Sequence, residues 1–392
     1  MPAAYFRLLA ATVAAGISSL TLLEAQTWNM LVLTLGATEW GHLVAPLALA
    51  ALLPGWRRDR AGRIGAAIGL AAGITSLSSL ARAAQVARQL PARLAAAFGD
   101  VPARERPGAP ARPAPLVLRH VLRGVRSPRI GKTRHVYATH GDLKLALDLY
   151  RPAEVHEPLP CVVVIHGGSW HSGDSKQLPA LNSYLAARGY VVAAINYRLA
   201  PTHRYPAARD DVQAALGYLK GRARVLGLDP EQIVLLGRSA GGHLALLAAY
   251  TIRDPAIRGV IAFYPPTDLV YGYNHPASKR LIDGISMVEN FLGGSPSTVG
   301  EIYETASPTS CTGPDCPPTL LIHGGRDNLV DPVQSERLAA RLAVDGCPHL
   351  YLRLPWATHG CDVNFSGPSG QISTYAVERF LAAVTAAQAR HA

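Results

Sequence analysis

The chain predicts an α/β fold, a mostly parallel sheet with helices on both faces, preceded by a helical membrane-type region. Six short apolar runs rich in β-branched residues recur at 161–165, 190–195, 233–236, 260–263, 319–322 and 350–354. Helical patterns separate most of them, near 177–188, 207–226, 240–251, 332–343 and 372–387. Three longer apolar stretches come first, at about 5–23, 28–53 and 64–80. Strands that are apolar throughout and alternate with helices are buried on both faces, as a parallel sheet requires. Ahead of the first run, residues 135–140 and 143–150 alternate around Gly141-Asp142 and read as a β-hairpin.

Each early stretch is near the ~20 residues that cross a bilayer as a helix. The first carries one charge, Arg7, and the second carries Glu39 and His42. These two lie three apart and share a helix face. An ionisable pair inside a span is a functional candidate, and the plainer reading is a hydrogen bond that holds the helices together. The third stretch spaces Gly65, Gly69 and Gly73 by four, which lines small residues on one face and admits a close helical neighbour. A cleaved signal peptide is the rival for the first stretch, and a buried soluble helical domain for all three. Four arginines in 56–63 argue that this short loop is cytoplasmic. Arg82, Arg88, Arg93, Arg104 and Arg106 after the third stretch argue the other way. The short loop counts for more, because long segments translocate largely regardless of charge. An odd number of spans then puts the C-terminal part on the outer side. Residues 81–99 read as an arginine-bearing interfacial helix, and 100–133 as a Pro/Arg-rich linker. The expected layout is membrane helices over 1–99, the linker, and a catalytic domain over 134–392 with a cap near 265–310.

The formal charge of +11 is uneven: residues 1–135 hold 17 basic and 5 acidic side chains, and the remainder hold 21 and 22. The arginines are scattered among Ala, Pro and Leu without aromatic interleaving, which excludes a recognisable nucleic-acid module and fits a membrane surface. Five cysteines show no zinc-ligand spacing, so no metal is expected. Cys161 opens an apolar run as a buried thiol, and Cys311 and Cys316 flank a turn that a disulfide could close.

The densest chemistry follows the strands' carboxyl ends. Residues 233–250 read strand, Gly237-Arg238-Ser239-Ala240-Gly241-Gly242, helix. A serine at such a turn stands clear of the sheet beside the first helical N–H groups. His166-Gly167-Gly168-Ser169-Trp170 follows the first buried strand. Its glycines let amides turn inward as donors to an oxyanion, with Gly168, Ser169 and Ala240 favoured and Gly167 in reserve. Asp327 and His359 follow the last two strands. His359 is the expected base for Ser239, and Asp327 the residue that orients it. Asp331 is the rival acid, and more naturally a helix cap; His166, His323 and His243 are the rival bases. Asp210 and Asp211 serve a helix start or a buried pair with Arg198. Trp170 and Trp356 are expected to line the substrate pocket under the cap.

Over about 134–390 these motifs resemble the α/β-hydrolase superfamily. HGGSW at 166–170, NYRLAP at 196–201, YPAARDDV at 205–212 and GRSAGG at 237–242 are similar to hormone-sensitive-lipase-like esterases, as are ASP at 306–308, PPTLLIHGGRD at 317–327 and THG at 358–360. Ser169 stands where that family often has a third glycine, and Arg238 and Asn196 where it often has Asp. HGGSW with GRSAGGHLA leans toward the carbohydrate-esterase, feruloyl-esterase and arylformamidase-like branch. The resemblance implies an α/β-hydrolase fold and a serine carboxylesterase or lipase acting on small-molecule or lipid acyl esters without a cofactor. The bilayer would be its partner through the N-terminal helices. The alternatives are an acyltransferase or arylformamidase-like amidohydrolase on the same triad, or a non-catalytic membrane scaffold.

Overall fold

The computed structural model describes residues 2–125 and 130–386. Residues 126–129 of the expected linker, and the last residue of the helix expected at 372–387, lie outside the described residues.

Four helices open the chain: α1 (Pro2–Ser19), α2 (Trp28–Glu39), α3 (Gly41–Leu49) and α4 (Arg60–Phe98). Thr27 caps α2 by accepting the Met30 amide, and Asp59 caps α4 by accepting that of Gly62. A short helix, α5 (Leu118–Arg123), precedes an eight-stranded sheet. Its strands are β1 (Ile130–His140), β2 (Leu143–Pro152), β3 (Leu159–Ile165), β4 (Val191–Ile195), β5 (Leu228–Arg238), β6 (Ile257–Phe263), β7 (Thr319–Gly324) and β8 (His349–Leu354). They lie in the order β1-β2-β4-β3-β5-β6-β7-β8. The β1–β2 hairpin and the β2–β4 pair are antiparallel, and every later pairing is parallel.

The connecting helices are α6 (Pro179–Ala187), α7 (Ala207–Gly221), α8 (Ala223–Leu226) and α9 (Ala240–Ile252). Three short ones, α10 (Leu269–Asn274), α11 (Gly284–Leu292) and α12 (Gly300–Thr305), occupy the expected cap segment. Then follow α13 (Val333–Val344) and α14 (Pro368–Thr385). Alternate residues of β3 enter different cores: Cys161, Val163 and Ile165 pack with Leu216 and Leu244, while Val162 and Val164 pack with Leu185 and Phe380. Both faces are therefore dry, and this is why the strands read as unbroken apolar runs.

The second apolar stretch forms two helices, broken at Trp40. α2 turns aside to dock on the α/β part, where Glu39 is wholly buried. Its carboxylate accepts the Ser369 hydroxyl at 2.5 Å, and its carbonyl accepts the Asn364 amide at 3.0 Å. The buried acid thus finds its partners about 330 residues downstream, not in His42. The interfacial helix expected at 81–99 is the second half of α4, one helix of 39 residues. In its first half a Cβ added at Gly69 would lie 2.3 Å from the Ala48 carbonyl oxygen, and one at Gly73 2.8 Å from Leu49. Small residues are what let α3 approach so closely. In its second half Ala83, Leu90 and Leu94 join the core beside Phe380, and Phe98 packs edge-on against Phe380 at 4.8 Å. α4 thus helps α6 and α14 to cover one face of the sheet.

The segment read as a linker is also packed down. Arg112 is buried with its guanidinium over Phe365 and Tyr184, and its amide donates to Glu378 at 3.1 Å. Arg188 clasps the Pro110 carbonyl and pairs with Glu378 at 3.2 Å. All five cysteines are free, so no Cys311–Cys316 disulfide is present; the Cys311 thiol points to the Thr305 carbonyl.

Among the described residues, nineteen of the twenty-seven exposed large apolar side chains fall between Tyr5 and Leu77. The helices Ala3–Leu22 and Arg60–Phe98 are long and apolar enough to cross a membrane.

Candidate active site

β5 ends at Arg238, α9 begins at Ala240, and Ser239 sits between them at φ 52° and ψ −121°. The strained turn needs bare neighbours. A Cβ at Gly237 would lie 2.0 Å from the Gly241 oxygen, and one at Gly241 would lie 2.2 Å from that of Ile165. The Ser239 amide is tied to the Phe263 carbonyl at 2.9 Å, which holds the hydroxyl above the sheet edge.

Two loops meet it there. His359 Nε2 lies 3.1 Å from Ser239 Oγ, and His359 Nδ1 lies 2.7 Å from Asp327 Oδ2. Asp327 Oδ1 accepts the Leu329 and Val330 amides at 3.0 and 2.9 Å, so its orientation is fixed by the turn it opens. Burial by itself would raise this carboxyl's pKa. The charge of His359 and hydrogen bonds from His323 and His359 outweigh it and hold the group well below the usual carboxylate range. Asp331 accepts the Val333 amide at 3.0 Å and the Tyr271 hydroxyl at 2.8 Å, as a cap of α13. Asp211 is the buried partner of Arg198, at 2.8 Å.

None of the rival histidines is the residue that meets Ser239 Oγ, and His323 instead places its Nε2 3.2 Å from Asp327 Oδ2. His166 stacks on Tyr197 with ring centroids 4.3 Å apart, and His323 lies 2.8 Å from the Ser335 hydroxyl. His243 accepts the Trp170 indole N–H at 3.1 Å and reaches the Ala306 carbonyl at 2.7 Å, bridging the Gly-rich loop to the cap. Burial pushes this imidazole down to about 4, so it is neutral at neutral pH.

In the Gly-rich loop Gly168, Ser169 and Trp170 all have positive φ, at 123°, 53° and 64°. Among the described residues the amides of Gly168, Ser169 and Ala240 meet no protein acceptor. Gly167 differs: its amide donates to Gln177 Oε1 at 2.8 Å, which removes it from the oxyanion donors expected from sequence. Gln177 lies ten residues downstream in a loop, and no motif marks it.

Trp356 requires a second correction. It is buried, with its indole N–H donated to Ser369 at 2.9 Å, and lines neither hollow at Ser239. Trp170 does line one, stacked on Phe291 at 4.6 Å. Asp362, which sequence reasoning did not single out, accepts Arg238 Nε at 2.5 Å and the Tyr264 hydroxyl at 2.6 Å directly behind the site. The only pointer in the sequence was an arginine where related motifs often carry an acid.

Among the described residues, hollows on two sides reach Ser239. One, about 80 Å³, lies under the cap between Trp170, Ala240, Leu269 and Val288. The other, about 490 Å³, is bounded by Gly168, His359, Val363, Trp28 and Leu35. A larger concavity of about 770 Å³, beside Arg253, Ile257 and Pro318, lies at the opposite strand ends, away from this chemistry. Among the described residues no three His, Cys, Asp or Glu side chains gather as metal ligands would.

The BD-FAE family model matches residues 147–342. Esterase LipC of Mycobacterium tuberculosis (strain ATCC 25618 / H37Rv) is 31% identical over 296 residues, 71% of this chain and 72% of its own length. Probable carboxylic ester hydrolase LipM of the same organism is 31% identical over 275 residues, and the match spans 64% of this chain and 63% of LipM. An esterase of Pyrobaculum calidifontis shares the fold at a TM-score of 0.54 and 24% identity, covering 65% of this chain and 86% of its own. A truncated carbohydrate esterase from gut microbiota does so at 0.54 and 21%, covering 65% and 99%. The family match covers β3 to β7 and part of β2, the serine turn and the acid loop described above, and the chain belongs to the BD-FAE family of α/β-hydrolase esterases.

Proposed function

We propose that the protein is a membrane-anchored serine carboxylesterase, with Ser239 as nucleophile, His359 as base and Asp327 as its orienting acid. The observation that carries this reading is the unbroken contact Ser239 Oγ to His359 Nε2 (3.1 Å) and His359 Nδ1 to Asp327 Oδ2 (2.7 Å). Ser239 Oγ attacks the ester carbonyl while its proton passes to Nε2. The carbonyl oxygen becomes an oxyanion that the amides of Gly168, Ser169 and Ala240 are free to meet. The carbon–oxygen bond to the alcohol then breaks as Nε2 returns the proton to the departing oxygen. Water, deprotonated by the same nitrogen, attacks the acyl-serine, and the acid leaves as Ser239 recovers its proton.

Anchoring is supported by the exposed apolar surface. A soluble protein rarely leaves a large contiguous apolar patch bare, and the exposed side chains from Tyr5 to Leu77 clothe α1 to α3 and the first half of α4. From Arg60 to Leu77 that helix rises about 26 Å at ~1.5 Å per residue, close to the ~30 Å hydrocarbon thickness. In this reading α1 and the start of α4 cross the bilayer, α3 is too short to cross it and packs against them from within, and α2 lies at the interface beneath the catalytic domain that begins near residue 134. The Arg57–Arg63 loop sits at the end of the bundle where Arg7 binds Pro54, far from the hydrolase. The positive-inside preference then puts the catalytic domain outside the cytoplasm.

Membranes carrying the full chain, treated with a fluorophosphonate probe, are expected to show a labelled band that Ser239→Ala removes. A wild type that stays unlabelled, or a variant labelled equally, refutes the enzyme reading. Carbonate extraction is expected to leave the protein in the pellet; its release to the supernatant refutes the anchor.

A further inference from the structure

The N-terminal helices reach into the site itself. Trp28 and Leu35, both on α2, line the larger hollow at Ser239, and a Cβ at Gly360 would lie 3.8 Å from Leu35. α2 is fastened at both ends. Arg326 and Asn328, on either side of Asp327, donate to the carbonyls of Leu23 (2.8 Å) and Ala25, and Glu39 is buried against Ser369. Between these points Leu31 and Ala25 pack with Leu281 and Leu329. The opposite face of α2 leaves Val32 and Leu33 more than half exposed, and Trp28, at 55%, borders both the hollow and the outside. One helix therefore joins the active-site mouth to the apolar surface read above as lipid-facing.

The chemistry says which part of an ester lies against it. The departing alkoxide takes its proton from His359 Nε2, so the alcohol portion sits on the imidazole side of Ser239. His359 lines the larger hollow, beside Trp28, Leu35 and Gly168; it does not line the smaller one, which Trp170 and Ala240 border, and Ser169 stands between the two. The acyl group is left with the smaller hollow. Its volume of about 80 Å³ is roughly half the ~150 Å³ that accepts a benzene, enough for an acyl group of about two to four carbons. The larger, at about 490 Å³, is in the ~300–1,000 Å³ range of whole small-molecule sites.

We infer that α2 forms the alcohol side of the substrate site, and that the protein takes short-acyl esters of bulky, lipid-soluble alcohols presented from the bilayer. This rests on the serine-esterase reading and adds a substrate class to it.

The test uses the full chain reconstituted in phosphatidylcholine vesicles, with four esters: ethyl acetate, hexadecyl acetate, ethyl palmitate and hexadecyl palmitate. Hexadecyl acetate is expected to be cleaved with kcat/KM at least tenfold above ethyl palmitate, and hexadecyl palmitate to be a poor substrate. Leu35→Trp, which fills the hollow beside His359, should lower the hexadecyl-to-ethyl acetate ratio of kcat/KM about tenfold. Leu33→Ala, on the outward face of α2, should leave that ratio in place. Preference for ethyl palmitate, an unchanged ratio in Leu35→Trp, or an equal shift in Leu33→Ala overturns the inference. Fluorophosphonate labelling of Ser239 in the same samples separates the two readings: label without the selectivity pattern removes this inference alone, and absence of label removes the enzyme reading beneath it.

Discussion

Arg238 and Asp362 form a buried ion pair, Nε to Oδ2 at 2.5 Å, between the residue before the serine and the third residue after the histidine. Tyr264 donates to the other carboxylate oxygen at 2.6 Å and lays its ring 4.4 Å from that of His359. The pair ties the serine turn to the histidine loop from behind. Breaking a buried pair from one side leaves a bare charge and costs about 3–5 kcal/mol, whereas apolar replacement of both partners is often near neutral. Asp362→Asn is therefore expected to lower the thermal midpoint and slow Ser239 labelling, and Arg238→Met with Asp362→Leu to recover most of the midpoint. Thermal unfolding of the three proteins in one detergent decides it; a double variant no more stable than the single one contradicts the pairing.

Gly168 has φ 123°, and a Cβ there would lie 2.1 Å from the Ser172 carbonyl oxygen. Gly168→Ala is expected to shift the loop that presents the Gly168 and Ser169 amides. Losing one oxyanion donor typically costs about 10²–10³ in kcat. Steady-state kinetics should show that loss in kcat with KM within a few-fold; a change confined to KM would place the loop in substrate binding instead.

Two buried groups at the site contribute to the acid limb of stability. The folded His243 imidazole is held at about 4 against an ordinary 6.5, because burial disfavours its charge. The unfolded chain takes up that proton first, so stability is complete above 6.5 and falls as pH drops from 6.5 toward 4. A shift of this size is on the order of 3 kcal/mol. Asp327, depressed below its ordinary 3.8, loses its contribution only as pH falls below that value. His243→Gln is expected to lessen the fall of the midpoint between pH 6.5 and 4.5, with buried His166, also depressed from 6.5, retaining part of it, and Asp327→Asn to leave that window unchanged. Parallel melting profiles for wild type and His243→Gln would contradict the assignment.

Within the bundle, a side chain at Gly69 meets the Ala48 backbone at 2.3 Å, whereas one at Gly16 meets nothing within 4 Å. Gly69→Leu is expected to force α3 from α4 and lower the midpoint in detergent by several degrees, and Gly16→Leu to leave it unchanged. Equal effects at both positions would mean that bundle spacing is not set at Gly69.

What could be read in advance was what lies close in sequence to a strand end. Ser239, Asp327 and His359 each sit within a few residues of one, so the order of strands and helices was enough to bring them to one edge. The apolar runs could be recognised because both faces of the sheet are covered. What escaped depended on partners remote along the chain. Gly167 looked like its neighbours until Gln177 took its amide. Trp356 followed a strand as a pocket residue would, but its indole is claimed by Ser369 on α14. Glu39 and Arg112 read as a membrane acid and a linker arginine; both are buried against the α/β part. The break at Trp40 follows from that docking and leaves no mark in an apolar run.

α4 runs from the bundle into the sheet's covering layer as one helix of 39 residues. In the membrane-anchored reading proposed above, an anchor of this stiffness would hold the serine at a set height and tilt over the lipid surface. Encounters with an embedded ester are then collisions within a plane, and the velocity follows the ester's mole fraction there. Adding inert phospholipid at constant total ester should slow such an enzyme, and adding bulk buffer should not.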